Sequence, residues 1–326
     1  MRFNPLRITS RVLLLCLGVT SESYAMDLFS LRARADAGDA QAQYEMGRRY
    51  DLGEEGAANP GEAITWYRLA AENGNSAAQF ELGVKYHYGE GVVKACKEAV
   101  AWYQRAAKQG NTEAQTNLGF MYHDGECMKK DCGEAVRWFE QAATKGNDVA
   151  QANLGVLYSN GECLKRDYLK ARQWLQKAVG RNNATAQQAM GVIYSQGLGV
   201  PRNYAEAAKW FRQAAEQGDH LAQYDLGTLY AHAKGVAQDY REAAKWLQRA
   251  AEQGYDKAQN SLGALFEKGL GVPQDYVAAY QWWNLAAAQG NDDAKSSRDA
   301  IQGKMTPAQV AEGQRRAAGF GTEPEQ

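Results

Sequence analysis

A period of 36 residues governs most of the chain, and it restricts the possible folds more than any other feature. Tryptophan recurs at this spacing without an insertion, as Trp66, Trp102, Trp138, Trp174, Trp210, Trp246 and Trp282. Self-similarity at a period of about 20 to 50 residues is typical of solenoids and related repeat architectures. We number the positions of each copy from 1. The seven copies span 38–289 and begin at residues 38, 74, 110, 146, 182, 218 and 254.

Each copy predicts two helices. Ala, Leu or Met, and Tyr recur at positions 5, 9 and 13, as in Ala78, Leu82 and Tyr86. This spacing forms one apolar face of a helix over positions 3 to 15. Glycine at position 10 recurs in all seven copies, as in Gly83. A glycine in an exposed helix interior costs about 1 kcal/mol relative to alanine, so its recurrence indicates that a neighbouring helix approaches closely there.

The second helix is predicted over about positions 23 to 35. Asn or Asp occupies position 22 of six copies, where an N-cap belongs, and Glu62 follows Asn59 in a capping-box spacing that recurs at Glu134, Glu206 and Glu242. Ala63, Trp66 and Ala70 form its buried stripe. A single helix pair cannot bury both of its apolar faces, so the copies are expected to stack into a solenoid.

These motifs resemble the Sel1-like repeat, a relative of the tetratricopeptide repeat. The sixth copy shows both halves of the pattern, in Ala222, Gln223, Leu226, Gly227 and Tyr230 and then in Asp239, Tyr240, Ala243, Trp246, Ala250 and Ala251. The resemblance covers 38–289. It implies an all-α fold, a right-handed superhelical solenoid of seven 36-residue helix-turn-helix repeats with terminal capping helices. It also implies a chain that holds other proteins, often exported in bacteria and linked to envelope assembly, virulence or host contact.

The two ends carry different signals. Arg2, Arg7 and Arg11, a short apolar stretch and the small residues around Ala25 predict a signal peptide over 1–25, cleaved before Met26. A buried N-terminal helix is the alternative. We expect a capping helix over 26–37, capping helices over 290–318 that include the N-cap pair Thr306-Pro307, and a frayed tail over 319–326. The chain is therefore expected in the periplasm or secreted.

Four cysteines remain after the predicted cleavage, and an exported chain permits disulfides. Cys127 and Cys163 occupy position 18, and Cys96 and Cys132 occupy position 23. In the other copies, Tyr or Pro at position 23 is followed by Gly at position 18 of the next copy. Position 23 is therefore expected to face position 18 of the next copy, which predicts the bridges Cys96–Cys127 and Cys132–Cys163. The alternatives are a Cys127–Cys132 loop and a zinc site with four cysteine ligands.

Catalytic and cofactor signals are missing from the sequence. It contains no Gly-x-x-x-x-Gly-Lys loop, no His-Glu-x-x-His, no Gly-x-Ser-x-Gly and no Ser-x-x-Lys. The formal net charge of −1 gives no overall basic excess of the kind that marks nucleic-acid binders. We therefore expect no enzyme activity, cofactor, metal or nucleic-acid partner, no membrane span and a monomer. His87 and His123 share position 14 and are interpreted as solvated groove residues rather than metal ligands.

A binding surface is expected where the copies differ. Positions 5, 6, 9, 10 and 13 barely change, whereas positions 7, 11 and 14 vary and share one stripe of the first helix, here called the first-helix stripe. By analogy with tetratricopeptide repeats it lines a concave groove. The candidate binding residues are Tyr44, Arg48, Phe80, Val84, His87, Phe120, His123, Val156 and Tyr224. The alternative is that Val84 and Phe120 pack against the next first helix.

The favoured function is a periplasmic or secreted protein–protein interaction scaffold that binds a peptide or protein segment in this groove. The second reading is a cell-wall or β-lactam hydrolase. That activity has been attributed to some cysteine-rich members of the family, so only the resemblance supports it.

Overall fold

The computed structural model describes residues 21–54 and 58–320, over which the chain forms seventeen α-helices and no strand. The chain divides into two compact units, Met1–Ala114 (unit 1) and Gln115–Gln326 (unit 2). In each unit, helices that follow one another along the chain pack together. The helices are α1 Ser21–Asp36, α2 Ala40–Leu52, α3 Pro60–Glu72, α4 Ser76–Tyr88, α5 Cys96–Lys108, α6 Thr112–Asp124, α7 Cys132–Thr144, α8 Asp148–Asn160, α9 Tyr168–Val179, α10 Ala184–Gln196, α11 Tyr204–Glu216, α12 His220–Ala231, α13 Tyr240–Glu252, α14 Asp256–Lys268, α15 Tyr276–Ala288, α16 Asp292–Gln302 and α17 Pro307–Gly319.

The predicted helix starts are confirmed, because every first helix begins at position 3 and every second helix at position 23. An Asx side chain at position 2 starts the first helices. Asn147 Oδ1, for example, accepts a hydrogen bond from the Ala150 N–H at 2.9 Å. The same cap is formed by Asp39, Asn75, Asn111, Asn183, Asp219 and Asn291. Tyr255 stands at this position before α14 and makes no side-chain cap.

The second helices are capped differently from the prediction. Asn59 Oδ1 accepts a hydrogen bond from the Glu62 N–H at 3.2 Å, as an N-cap should. However, the Asn59 N–H donates to the Tyr50 carbonyl at 2.9 Å. The same carbonyl at position 13 accepts the N-cap N–H before α7, α11 and α13. The predicted capping boxes at Glu62, Glu134, Glu206 and Glu242 are therefore wrong, because the N–H that each glutamate would accept is already used within the copy.

The glycine at position 10 lets the two helices of one copy approach each other, as predicted. A Cβ added to Gly191 would lie 2.5 Å from Cδ1 of Phe211, which is far inside van der Waals contact. Phe211 is at position 30 on the second helix and is only 2% exposed. The same clash would occur in all the other copies, between Gly47 and Tyr67, Gly83 and Tyr103, Gly119 and Phe139, Gly155 and Leu175, Gly227 and Leu247, and Gly263 and Trp283.

A buried glutamine at position 6 ties successive copies together. Gln79 Nε2 donates to the Ala71 carbonyl of the preceding copy at 3.0 Å, and Gln79 Oε1 accepts from Gln109 Nε2 at 2.8 Å. In unit 2, Gln151 donates in the same way to the Ala143 carbonyl at 2.9 Å. Gln79 thus satisfies a carbonyl near the end of one helix while its own amide oxygen stays paired, which a buried polar side chain requires.

Position 23 faces position 18 of the next copy, as the sequence predicts. Gly91 has a φ of +73°, and a Cβ added to it would lie 2.7 Å from Cβ of Pro60. A Cβ added to Gly199 would lie equally close to Cβ of Tyr168. Gly235 and Gly271 approach the backbone of Tyr204 and Tyr240 even more closely. At these four junctions glycine suits position 18 both because of its backbone conformation and because an added Cβ would clash.

One copy junction in unit 2 is covalent. Cys132 and Cys163 form a disulfide with a Cα–Cα distance of 5.0 Å, so this predicted bridge is confirmed. Because Cys132 is bonded to Cys163, the Cys127–Cys132 loop and the four-cysteine zinc site are wrong. Cys127 and Cys163 have φ values of 62° and 60°, the conformation that glycine adopts at position 18 of the other copies. The bridge Cys96–Cys127 would join the two units and stays a prediction.

Helices cover both ends of the repeat array. On α1, Leu28 and Leu31 pack against a buried cluster that includes Met46 and Trp66. The described part of this helix extends back to Ser21, upstream of the predicted start of the capping helix at Met26. The predicted cleavage site lies within α1. The rest of the predicted signal peptide, residues 1–20, lies outside the described residues.

Two helices, α16 and α17, follow the last copy where capping helices are predicted, and Thr306 and Gln309 form a reciprocal capping box. The predicted frayed tail is wrong at its start. Gly319 is still helical, and the Phe320 ring lies 5.4 Å from that of Trp282, because packing there removes an apolar ring from water. Residues 321–326 lie outside the described part of the chain. No described helix has the length and apolar character that crossing a bilayer would require.

Candidate binding surface on the first helices

In unit 1, the first-helix stripe presents half-buried aromatic side chains. The Tyr44 ring lies 5.9 Å from the Tyr67 ring, and the Phe80 ring lies at the same distance from the Tyr103 ring. Val84 is also half-buried, whereas Arg48 is exposed and its guanidinium lies 3.7 Å from Glu45. Each ring packs on the second helix of its own copy and keeps part of its surface open. The predicted candidates of this unit therefore remain accessible, with the exception of His87.

In unit 2, the remaining apolar candidates are arranged in the same way. The Phe120 ring meets the Phe139 ring edge-on at 5.2 Å, and both belong to the third copy. Val156 packs against a buried cluster that contains Ala152 and Leu175. Phe120 and Val156 are both half-buried. The stripe therefore combines packing within a copy with partial exposure.

The histidines at position 14 do not fit the prediction. His87 is 5% exposed and His123 is 7% exposed, so the interpretation as solvated groove residues is wrong. The His87 ring stacks on Tyr88 at 4.6 Å. His123 Nδ1 lies 2.6 Å from Asp124, and its Nε2 lies 3.2 Å from Glu162 of the next copy. Position 14 therefore points between helices in these two copies.

Sequence reasoning missed a charged cluster in unit 1. Lys85 is buried, and its Nζ lies 2.6 Å from Asp51 and 3.4 Å from Glu90. Burial raises the pKa of the nearby Glu81 carboxyl, with Lys85 opposing the shift. Glu81 is at position 8, next to the aromatic residue at position 7. The missed signal is an aromatic–acid pair at positions 7 and 8, which occurs as Tyr44-Glu45, Phe80-Glu81 and Tyr224-Asp225.

The third aromatic–acid pair lies in unit 2 and forms a second cluster. Burial raises the pKa of Asp225 to about 7, Gln188 opposes the shift by hydrogen bonding, and Asp219 adds to it. The rings of Tyr224 and Tyr255 meet edge-on at 5.2 Å. Burial, with Tyr224 and Asp225 nearby, raises the pKa of Tyr255 to about 12. Buried carboxyls with raised pKa values are candidates for functional sites.

Among the described residues of each unit taken by itself, no three His, Cys, Asp or Glu side chains bring ligand atoms within 4.8 Å of one another. The chemistry that the surface offers is recognition by aromatic rings, apolar side chains and partly desolvated carboxylates.

Comparisons with known proteins agree with this architecture. The family model described as the Sel1 repeat matches residues 40–75, 76–111, 112–147, 148–183, 184–219, 220–255 and 256–291. No curated protein matches the chain. A crystal structure from uropathogenic Escherichia coli, described as a protective antigen displaying an SLR fold, is 38% identical with a TM-score of 0.72. The match covers 90% of this chain and 64% of that protein, so the chain spans less than two thirds of its length. A Sel1 repeat protein from Oxalobacter formigenes is 31% identical with a TM-score of 0.67, over 87% of this chain and 82% of that one.

Proposed function

The chain belongs to the Sel1 repeat family, whose members serve as protein–protein interaction scaffolds, and from this premise we propose that it is a non-catalytic scaffold that binds a peptide or protein segment along the first-helix stripe. One observation carries the proposal. Positions 5, 6, 9 and 10 are nearly constant among the copies and buried, whereas position 11 varies and stays at least partly open, and position 7 varies and is partly open in five of the seven copies. The fold does not demand the aromatic side chains at Tyr44, Phe80 and Phe120, so we assign to these side chains the role of binding a partner.

An extracytoplasmic location is part of the proposal. The N-terminal signal, the Cys132–Cys163 bridge and the absence of a spanning helix among the described residues support it. The Escherichia coli relative is described as a protective antigen. A protective antigen must be reached by the immune system, which is easiest for a protein outside the cytoplasm. We propose the periplasm or the secreted space for this chain.

The test compares two variants of the mature protein. Proteins captured from an envelope extract are identified, purified and titrated against the wild type and against Phe80→Ala combined with Phe120→Ala. The double variant should bind more weakly by more than about 2 kcal/mol, roughly thirtyfold, because aromatic anchors dominate interface energies. Leu169→Ala is the matched control, since Leu169 is an exposed apolar residue on the second helix α9.

Two outcomes would contradict the proposal. One is a double variant that binds as tightly as the wild type when both are folded. The other is turnover of muropeptides or of a chromogenic β-lactam by the purified protein, which would show that the chain is an enzyme. Melting curves of all variants are recorded beside the titrations, because Phe80 and Phe120 also pack on Tyr103 and Phe139.

A further inference from the structure

Tyr255 breaks a structural rule that the other copies keep. Position 2 holds an Asn or Asp that caps the first helix in the other six copies and before α16. Tyr255 has the same extended backbone conformation but supplies no cap to α14. Losing an Asn or Asp cap costs about 1 kcal/mol. Departures from a local rule that lower stability are expected at functional sites.

The side chain of Tyr255 packs against neighbouring aromatic rings instead, and we call the pair Tyr224 and Tyr255 the aromatic wall. The Tyr255 ring meets that of Tyr224 at 5.2 Å and an interplanar angle of 80°, and His220 flanks it at 5.4 Å. Tyr224 and Tyr255 are half-buried and pack on a core cluster between the sixth and seventh copies. Both rings therefore keep part of their surface available to a ligand.

Asp225 lies beside this wall without a counter-ion. Within the described part of unit 2, its carboxylate makes no ion pair, although it is partly desolvated. Lys257 is near enough to act on Asp225 electrostatically, but it is exposed and forms no salt bridge there. The other nearby carboxylates already accept hydrogen bonds within the chain. Asp219 caps Ala222 at 2.7 Å, and Asp256 accepts from Asn291 at 2.7 Å.

Several tryptophan rings of this chain are covered by a cationic side chain of the chain itself. Lys177 lies 4.1 Å from the centroid of the Trp174 ring, and Arg249 lies 4.8 Å from that of Trp246. Over residues 58–320, no Lys or Arg covers Tyr224 or Tyr255 in this way. A pair of rings beside an unpaired carboxylate is an environment that attracts a cation by charge and by cation–π interaction.

We propose that Tyr224, Asp225 and Tyr255 form a pocket for the ammonium or guanidinium group of a lysine or arginine side chain on a bound polypeptide. Asp225 is the anion, Gln188 orients its carboxylate, and the exposed parts of the two rings contact the apolar stem of the incoming side chain. An anionic or neutral ligand would leave the negative charge of Asp225 unpaired, so this charge selects against anionic and neutral ligands. This assignment deepens the proposed function and rests on it for the polypeptide, but the pocket itself is tested separately.

The first experiment uses short probes with the full mature chain. Capped Gly-Arg-Gly and Gly-Lys-Gly peptides are titrated by NMR, with capped Gly-citrulline-Gly as the neutral isostere of arginine. The Arg and Lys peptides should shift the Tyr224 and Tyr255 ring resonances, and Asp225→Asn should weaken their binding by about tenfold or more. Lys257→Met, which removes an internal competitor, should bind them at least as tightly as the wild type. Equal binding of the citrulline peptide, or of all peptides to Asp225→Asn, would overturn the pocket.

The second experiment uses the missing cap. Tyr255→Asn restores the residue found in most other copies, so it should raise the melting temperature while losing the affinity for the Arg peptide. Tyr255→Phe keeps the ring and should retain binding. If Tyr255→Asn binds as the wild type does, Tyr255 has no part in the site and the assignment is wrong. These titrations do not depend on capturing a partner, so their failure is distinguishable from failure of the first-helix stripe.

Discussion

At the scale of single residues, the position 8 carboxyls show what the repeat pattern hides. Glu81 and Asp225 occupy the same position in the second and sixth copies, and burial raises the pKa of both. The sequence shows which positions vary, but the burial of position 8 depends on helices of adjacent copies. The same limitation explains His87 and His123, whose variable position suggested solvent exposure although both are buried.

Asp225 predicts a pH dependence of stability with a definite sign. Its folded pKa of about 7 lies above the ordinary aspartate value of 3.8, so the folded protein binds this proton more tightly than the unfolded chain does. The resulting stabilisation is complete below the unfolded pKa and is lost as the pH rises through about 7. Asp225→Asn should therefore be more stable than the wild type at about pH 8, by about 2–4 kcal/mol.

Chemical denaturation at several pH values measures this effect. The difference between Asp225→Asn and the wild type should shrink steadily as the pH falls from about 8 to about 5. Asp292→Asn, which alters an exposed carboxyl at the start of α16, is the control for a general loss of negative charge. A constant difference across the whole pH range would contradict the assignment of this titration to Asp225.

At the scale of helices, the spacing within each pair is set by glycine against a large side chain. The sequence predicted both helices of every copy, because their caps and apolar periodicity are local signals. It also indicated a close approach at position 10. It did not identify position 30 as the partner of that glycine, because the sequence pattern of a single helix does not determine the angle between two helices. Nor did it reveal that the position 13 carbonyl replaces the capping box.

This spacing gives a prediction with a matched control. In Gly191→Ala, the new Cβ would lie 2.5 Å from the Phe211 ring, so the helices must move apart or the ring must leave its rotamer. Overpacking of this kind costs about 1–3 kcal/mol. Gly133→Ala places its Cβ 3.4 Å from Asp131 Oδ1 at the exposed start of α7, and should be neutral or stabilising by up to about 1 kcal/mol. The melting temperature of Gly191→Ala should fall while that of Gly133→Ala stays the same or rises, and a comparable fall in both variants would contradict the packing argument.

At the scale of the whole molecule, one rule relates all the copy junctions. Position 23 meets position 18 of the next copy as Pro with Gly, Tyr with Gly, or Cys with Cys, and the rule was visible in the sequence because the copies never change length. The structure confirms it at Gly91, Cys163, Gly199, Gly235 and Gly271. What the sequence alone could not supply was the reason for glycine at Gly91, Gly199, Gly235 and Gly271, namely that an added Cβ there would clash with residues at or next to position 23.

The rule also predicts the Cys96–Cys127 bridge, which can be tested in the same experiment as export. Intact-mass measurement of the protein released from cells should give a chain that begins at Met26. Peptide mapping without reduction should recover Cys132 linked to Cys163 and Cys96 linked to Cys127. Each bridge closes a loop with a sequence separation of 31 residues, which corresponds to about 3–4 kcal/mol in the loop-entropy model.

Reduction should therefore lower the melting temperature and leave the helical signal in place, because the junctions at Gly91, Gly199, Gly235 and Gly271 contain no sulfur. The double variant Cys132→Ser with Cys163→Ser serves as the control, since it should lose only part of the effect of reduction. A chain that keeps residues 1–25 in the cytoplasm, or one in which Cys96 and Cys127 are both free thiols, would contradict the prediction. The first result would remove the oxidising compartment on which both bridges depend, and the second would limit the covalent form of the rule to one junction.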